Sequence, residues 1–104
     1  MGRVLIMTGS STSLHLDPHL ELDNLPELAQ KLRESLMQDD APLVLDGSGI
    51  QSIDGAAIQL LLLAVQTAKE KNIPCSWHQP SSALSKAVAL LGLTDDMLLE
   101  ATEQ

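Results

Sequence analysis

The sequence predicts an α/β fold: a small mixed four-stranded sheet with helices packed on one face, in the order β-β-α-β-α-β-α-α. Three observations carry this reading. Leu43, Val44 and Leu45 form a continuous apolar run, which suits a strand covered on both faces. Asp46-Gly47-Ser48-Gly49 follows with turn chemistry, and a long apolar helix begins near Gly55 or Ala56. On either side of this β-loop-α unit, short apolar runs alternate with helical patterns, and no low-complexity stretch or linker interrupts them.

The elements follow in order. Arg-Val-Leu-Ile-Met at residues 3–7 is apolar and partly β-branched, and reads as a first strand. Residues 8–12 are turn-forming, and residues 13–16 alternate polar and apolar as a half-buried strand does. Their close spacing predicts an antiparallel hairpin, which Asp17-Pro18 ends. A helix is expected over residues 24–37. Asn24 is placed to cap it, Pro26 lies in its first turn, and Glu27 completes an Asn-x-x-Glu capping-box pattern. Leu25, Leu28, Ala29, Leu32 and Leu36 share one face, opposite Gln30, Lys31, Arg33 and Glu34.

In the central unit Ile50 and Ile53 anchor a short connection, and Asp54 is placed to accept hydrogen bonds from the first free N–H groups of the next helix. That helix runs to about Lys71, where Asn72 and Pro74 stop it. Residues 75–78 form a last strand, parallel to the central one because a helix joins them. Pro80-Ser81-Ser82 starts a third helix with Leu84, Val88 and Leu91 on one face and Gly92 as its stop. Thr94 is placed to cap a final short helix, with Asp95 and Asp96 at its positive end.

Composition bounds the function. At 104 residues the chain is expected to form a single domain. Its core must be aliphatic, since it holds one Trp and neither Phe nor Tyr. A net charge of -8 argues against nucleic acid and against anionic membrane surfaces, because phosphates need basic partners. One cysteine allows no intrachain disulfide, which suits a reducing compartment. No secretory leader pattern is visible, and the longest apolar run, residues 60–65, is far shorter than the roughly 20 residues of a membrane span. The expected location is the cytoplasm.

The second helix carries the most informative anomaly. Ile58, Leu61, Leu62, Val65 and Ala68 form a stripe that should face the sheet. Ala56, Leu60, Leu63 and Thr67 form another on roughly the opposite side, where a surface helix is ordinarily polar. Either a neighbouring helix covers this second stripe or it is an interaction surface, and the latter is the favoured reading.

Catalytic patterns are weak by comparison. His15, His19 and His78 lack the spacing and companions of a metal site. Cys75, in a strand between Pro74 and Ser76, reads as a small buried residue and not a nucleophile. Gly47-Ser48-Gly49 lacks the lysine of a phosphate-binding loop. Asp46 and Asp54 each sit where a capping residue does, which is a better account than a catalytic pair. No metal, cofactor or enzymatic activity is expected.

From residue 43 onward the chain reads LVLDGSGIQSIDGAAIQLLLLAVQTAKEKNIPCSWHQPSSALSKAVALLGL. This string resembles a STAS domain, the fold of anti-sigma factor antagonists. The likeness rests on an apolar strand ending in Asp46, an apolar residue followed by Asp54, small residues, an apolar helix, a strand, Pro-Ser, and a helix ending Leu-Leu-Gly-Leu. It covers about residues 14–98 and departs from the family at Pro18, where a glycine is usual. The resemblance implies a STAS-like arrangement of the predicted sheet and helices. It also implies that the loop before the second helix, Asp-Ser-Ser-Gly in the antagonists, is the regulated site, with a kinase phosphorylating the second Ser. Here those positions are Asp54, Gly55, Ala56 and Ala57, so the acceptor position is Ala56, which has no hydroxyl.

The wording is similar to that of short bacterial STAS proteins associated with chemotaxis-type signalling clusters. The resemblance therefore implies a non-enzymatic module that binds an anti-sigma factor or a histidine-kinase-like protein. The expected contact set is Asp54, Gly55, Ala56, Ala57, Leu60, Leu63 and Thr67, and Leu60→Asp or Ala56→Arg is expected to abolish binding without unfolding the chain. Self-association through the second helix is a further expectation. Two alternatives stand beside this. One is the cytoplasmic STAS subunit of a phospholipid-transport ABC system, which tends to keep Thr where Gly55 stands. The other is a nucleotide sensor, although the chain offers no basic or aromatic cluster to hold a nucleotide.

Overall fold

The computed structural model describes residues 12–37 and 41–99. Among the described residues five strands, β1 (Thr12–His15), β2 (His19–Leu20), β3 (Leu43–Asp46), β4 (Ser52–Ile53) and β5 (Cys75–His78), alternate with three helices. These are α1 (Leu25–Leu36), entered through a 3-10 turn at Leu22–Asn24, α2 (Gly55–Glu70) and α3 (Ser82–Leu90). The expected strand at residues 3–7, and the hairpin it would form, lie outside the described residues. What is described is a parallel three-stranded sheet in the order β1-β3-β5, with β2 and β4 pairing as a separate short parallel ladder. The predicted parallel pairing of the central and last strands is present, with Leu43 opposite Cys75 and Leu45 opposite Trp77.

One face of the sheet is covered and the other is open, so the central strand is not buried on both faces as its continuous apolar run suggested: Val44, between exposed Ser13 and Ser76, is only half-buried. Leu43, Leu45 and Trp77 point inward and are buried, whereas Ser13, His15, Ser76 and His78 are exposed on the other face. From the helices, Leu28 and Leu32 of α1, Ile58, Leu61, Val65 and Ala68 of α2, and Leu84 and Val88 of α3 complete an aliphatic core. The sheet-facing stripe of α2 is thus as predicted, with Leu62 only half-buried at its edge.

Two stops act as the sequence indicates. Asn72 (φ 61°) and Gly92 (φ 71°) take the left-handed conformation that ends α2 and α3. The Leu93 amide then reaches back to the Val88 carbonyl at 3.1 Å. Gly47 has a different reason for being glycine. A Cβ there would stand 3.1 Å from both Leu84 Cδ2 and Trp77 Cζ3, so its lack of a side chain lets α3 and β5 close on the end of β3.

Three further expectations need correction. Asn24 does not cap α1 forward with Glu27. Its Oδ1 accepts the Glu21 amide at 2.9 Å, closing the 3-10 turn, and its Nδ2 donates to the His19 carbonyl. Leu91 is not on the buried face of α3 but 49% exposed. Beyond Gly92 the chain forms hydrogen-bonded turns in place of a helix, held because Met97 is fully buried and its carbonyl accepts Trp77 Nε1–H at 2.8 Å.

Candidate functional site

Both α1 and α2 cross between neighbouring parallel strands, so the two helices run in the same direction side by side. Their shared entrance is organised by Asp54. One carboxylate oxygen accepts the Ala57 amide at 3.0 Å and caps α2. The other accepts the Leu22 amide at 3.0 Å, at the turn that leads into α1. The β2–β4 ladder brings these partners together. The Asp54 amide donates to the Leu20 carbonyl, and Pro18 offers its carbonyl to the amides of Gln51 and Ser52. At the far end Lys71 Nζ, just past α2, donates to the Leu36 carbonyl at the last turn of α1 at 2.9 Å. Each tie puts charge where the helix dipoles favour it, acid at the N-termini and base at the C-termini.

Because Asp54 serves two elements, its loss should exceed that of an ordinary cap. Asp54→Ala is expected to cost about 2 kcal/mol, from a cap of about 1 kcal/mol and a charge-assisted bond of similar size. Asp54→Asn should recover only the bond its single amide oxygen can accept, about half of this, because its Nδ2 faces the other N–H donor; urea unfolding followed by circular dichroism measures both. A loss in Asp54→Ala no larger than a simple cap would mean that the Leu22 bond contributes nothing.

Between the clamped ends lies an apolar groove. Its first half is lined by Leu22, Leu25, Pro26 and Ala29 against Ala56, Gln59, Leu60 and Leu63. Its second half continues past Leu32, Leu36 and Met37 against Ala64, Thr67 and Lys71. The expected contact residues fall on it unequally. Gly55 and Ala56 are exposed at the first turn of α2, and Leu63 is 59% exposed. Asp54 and Thr67 are half-buried. Leu60 is half-buried and packs against the core, so α1 covers part of the second stripe and leaves the rest open. Ala57 is fully buried, which removes its side chain from any contact surface; only its amide takes part, through Asp54. Nothing lies within 4 Å of where a Cβ would stand on Gly55, so packing does not demand glycine at that position. The sequence reading missed Leu22, 68% exposed at the mouth of the groove, because it falls in an irregular turn with no helical period.

The other chemistry-bearing residues are accounted for by structure. Asp46 Oδ1 accepts the Ser48 amide at 3.0 Å and its hydroxyl at 2.7 Å, while Oδ2 lies 3.2 Å from His15 Nδ1. These bonds, chiefly those from Ser48, hold the Asp46 carboxyl down at about 2. His19 Nδ1 lies 2.8 Å from the Ser52 hydroxyl. Cys75 is half-buried, and burial pushes its thiol pKa up, away from nucleophile behaviour. Among the described residues no cluster of three or more His, Cys, Asp or Glu could hold a metal ion. Nor is any helix among them long and apolar enough to cross a membrane.

The Asp46 turn has a pH signature. Its carboxyl titrates at about 2 in the fold against an ordinary 3.8, so the folded state binds this proton more weakly. The stabilisation is complete above about pH 4 and is lost as pH falls toward about 2. Thermal unfolding across that range should therefore fall more steeply for the native chain than for Asp46→Asn. Parallel profiles would mean that the Ser48 bonds do not favour the charged form.

A family model described as "Mlab, STAS domain" matches residues 5–100. The chain belongs to the STAS domain family. No curated protein matches it. STAS domains are in general regulatory modules without enzymatic activity that mediate protein–protein interactions. In this STAS domain the start of α2 and the α1–α2 groove form one continuous surface, with Ala56 at its exposed edge.

Proposed function

We propose that this STAS domain is a docking module that binds a protein partner through the exposed start of α2 and the α1–α2 groove. The partner is an anti-sigma factor or a histidine-kinase-like signalling protein, met in the cytoplasm. The observation that supports this reading is the apolar line from Leu22 through Ala56 to Leu63, left open to solvent between two helices fixed at both ends. A rigid apolar surface binds with little ordering cost. Because Ala56 stands at the acceptor position, a phosphate cannot be placed there to repel an acidic partner, and binding is governed by shape and apolar burial.

Affinity capture of the tagged chain from its own host, with the bound proteins identified by mass spectrometry, tests the assignment. Recovery of a kinase, an anti-sigma factor or a chemotaxis component supports it, provided that Leu63→Asp bait loses the same protein. Recovery of a transporter ATPase overturns the signalling assignment and places the domain in a transport system, with the docking surface unchanged.

A further inference from the structure

The two ends of the α1–α2 groove are held in different ways. At the entrance Asp54 belongs to the turn before α2, and its short carboxylate bonds backbone on both sides. At the exit the hold is one long side chain. Lys71 is the C-cap of α2 and its backbone is fixed: its amide bonds the Thr67 carbonyl, Asn72 turns left-handed, and Ile73 is buried behind it. From that point the exposed side chain reaches α1, where Nζ donates to the Leu36 carbonyl at 2.9 Å. The last carbonyls of a helix have no partner within it. In α1 the Met37 amide serves those of Arg33, Glu34 and Ser35, and that of Leu36 is left for Lys71. Acids outnumber bases 14 to 6 in this chain, and Glu34 and Glu70 are exposed at the ends of the same two helices. Yet Glu34 takes Gln30 Nε2 at 2.8 Å, and among the described residues the Lys71 ammonium makes no ion pair.

We propose that Lys71 is a positioning residue for docking: its bond to Leu36 sets the spacing of the walls in the second half of the groove, and with it which partners fit. The inference rests on the groove being the docking surface. Leu36, Met37, Thr67 and Lys71 all line that second half, so the bond runs from one wall to the other. Leu36 packs partly against the core and Met37 is 68% exposed, so the bond governs where the end of α1 presents Met37 and leaves the core in place. Arg33, the other cation on this stretch of the groove, does not take over the role, because its Nη1 donates to Gln30 Oε1 at 3.2 Å within α1 itself.

Lys71→Met tests this in the intact chain, since it keeps an apolar stem of similar length and removes the donor. In the free chain, hydrogen exchange at the Met37 amide is expected to speed up about fivefold, with the Ala57 amide at the entrance unchanged. The purified protein that native bait recovers is expected to bind Lys71→Met about fivefold more weakly in titration calorimetry. Lys71→Arg, which keeps a charged donor on a long stem, should stay within about twofold of native in both measurements. Faster exchange with native affinity would make the bond a purely structural tie and overturn the proposal. Weaker binding with unchanged exchange would mean that Lys71 meets the partner directly, and overturns it as well. If Leu63→Asp loses binding while Lys71→Met keeps it, the role of Lys71 fails and the docking surface stands. If neither variant loses binding, the surface itself is wrong.

Discussion

Leu63→Asp is expected to weaken partner binding by at least about thirtyfold, with unfolding stability unchanged to within about 0.5 kcal/mol. Leu63 lies at the centre of the groove and is 59% exposed, so a carboxylate there meets water in the free protein. In the complex the same carboxylate is buried against an apolar partner without a counter-charge, which costs about 2 kcal/mol or more. The substitution therefore separates binding from folding. Leu60→Asp does not. Leu60 packs against the core, and a charge there is expected to destabilise the fold by about 2–4 kcal/mol, so its loss of binding would carry no meaning. Ala56→Arg is the second clean probe, since its side chain points from the exposed first turn of α2. Titration calorimetry against the captured partner, paired with urea unfolding of each variant, measures both quantities. Native affinity in both Leu63→Asp and Ala56→Arg would mean that the partner docks elsewhere.

Trp77→Ala is expected to cost about 3–5 kcal/mol, a large share of the whole stability of a domain this size. Trp77 is the chain's one Trp, with no Phe or Tyr beside it, and is 8% exposed. Its ring lies under Gly47, at the junction of β3 and α3, and its Nε1–H holds the Met97 carbonyl of the final turns. Trp77→Phe distinguishes packing from hydrogen bonding. It keeps most of the apolar volume but leaves the Met97 carbonyl without its donor, and should cost about 1–3 kcal/mol. Urea unfolding monitored by circular dichroism gives the values. A Trp77→Phe chain as stable as the native one would show that the tie to Met97 is not needed.

The long elements were legible in the sequence because burial imposes a period. The face carrying Leu28 and Leu32, and the stripe carrying Ile58, Leu61, Val65 and Ala68, repeat at helical spacing and are buried as read. The strands β2 and β4 were not legible, because two residues carry no period, and only Ile53 hinted at an anchored connection. Asp54 was read correctly as the cap of α2, since that bond spans three residues. Its second bond, to Leu22, spans 32 residues, and the Lys71 tie to Leu36 spans 35; neither leaves a local pattern. Asn24 satisfied a forward capping pattern, yet it caps backward onto Glu21, because a 3-10 turn precedes α1. The second stripe of α2 announced a surface. That Ala57 would be buried and Leu60 half-covered while Leu63 stays open depends on where α1 lies, which periodicity in α2 cannot specify.

A protein partner docked in the α1–α2 groove must alter the surroundings of that groove's amides. Amide chemical-shift mapping of the labelled chain with and without the captured partner tests this docking most directly. The largest changes are expected at Leu22, Ala56, Leu63 and Thr67, with the open face of the sheet unaffected. Changes centred on Ser13, His15, Ser76 and His78, with the groove unmoved, would contradict it.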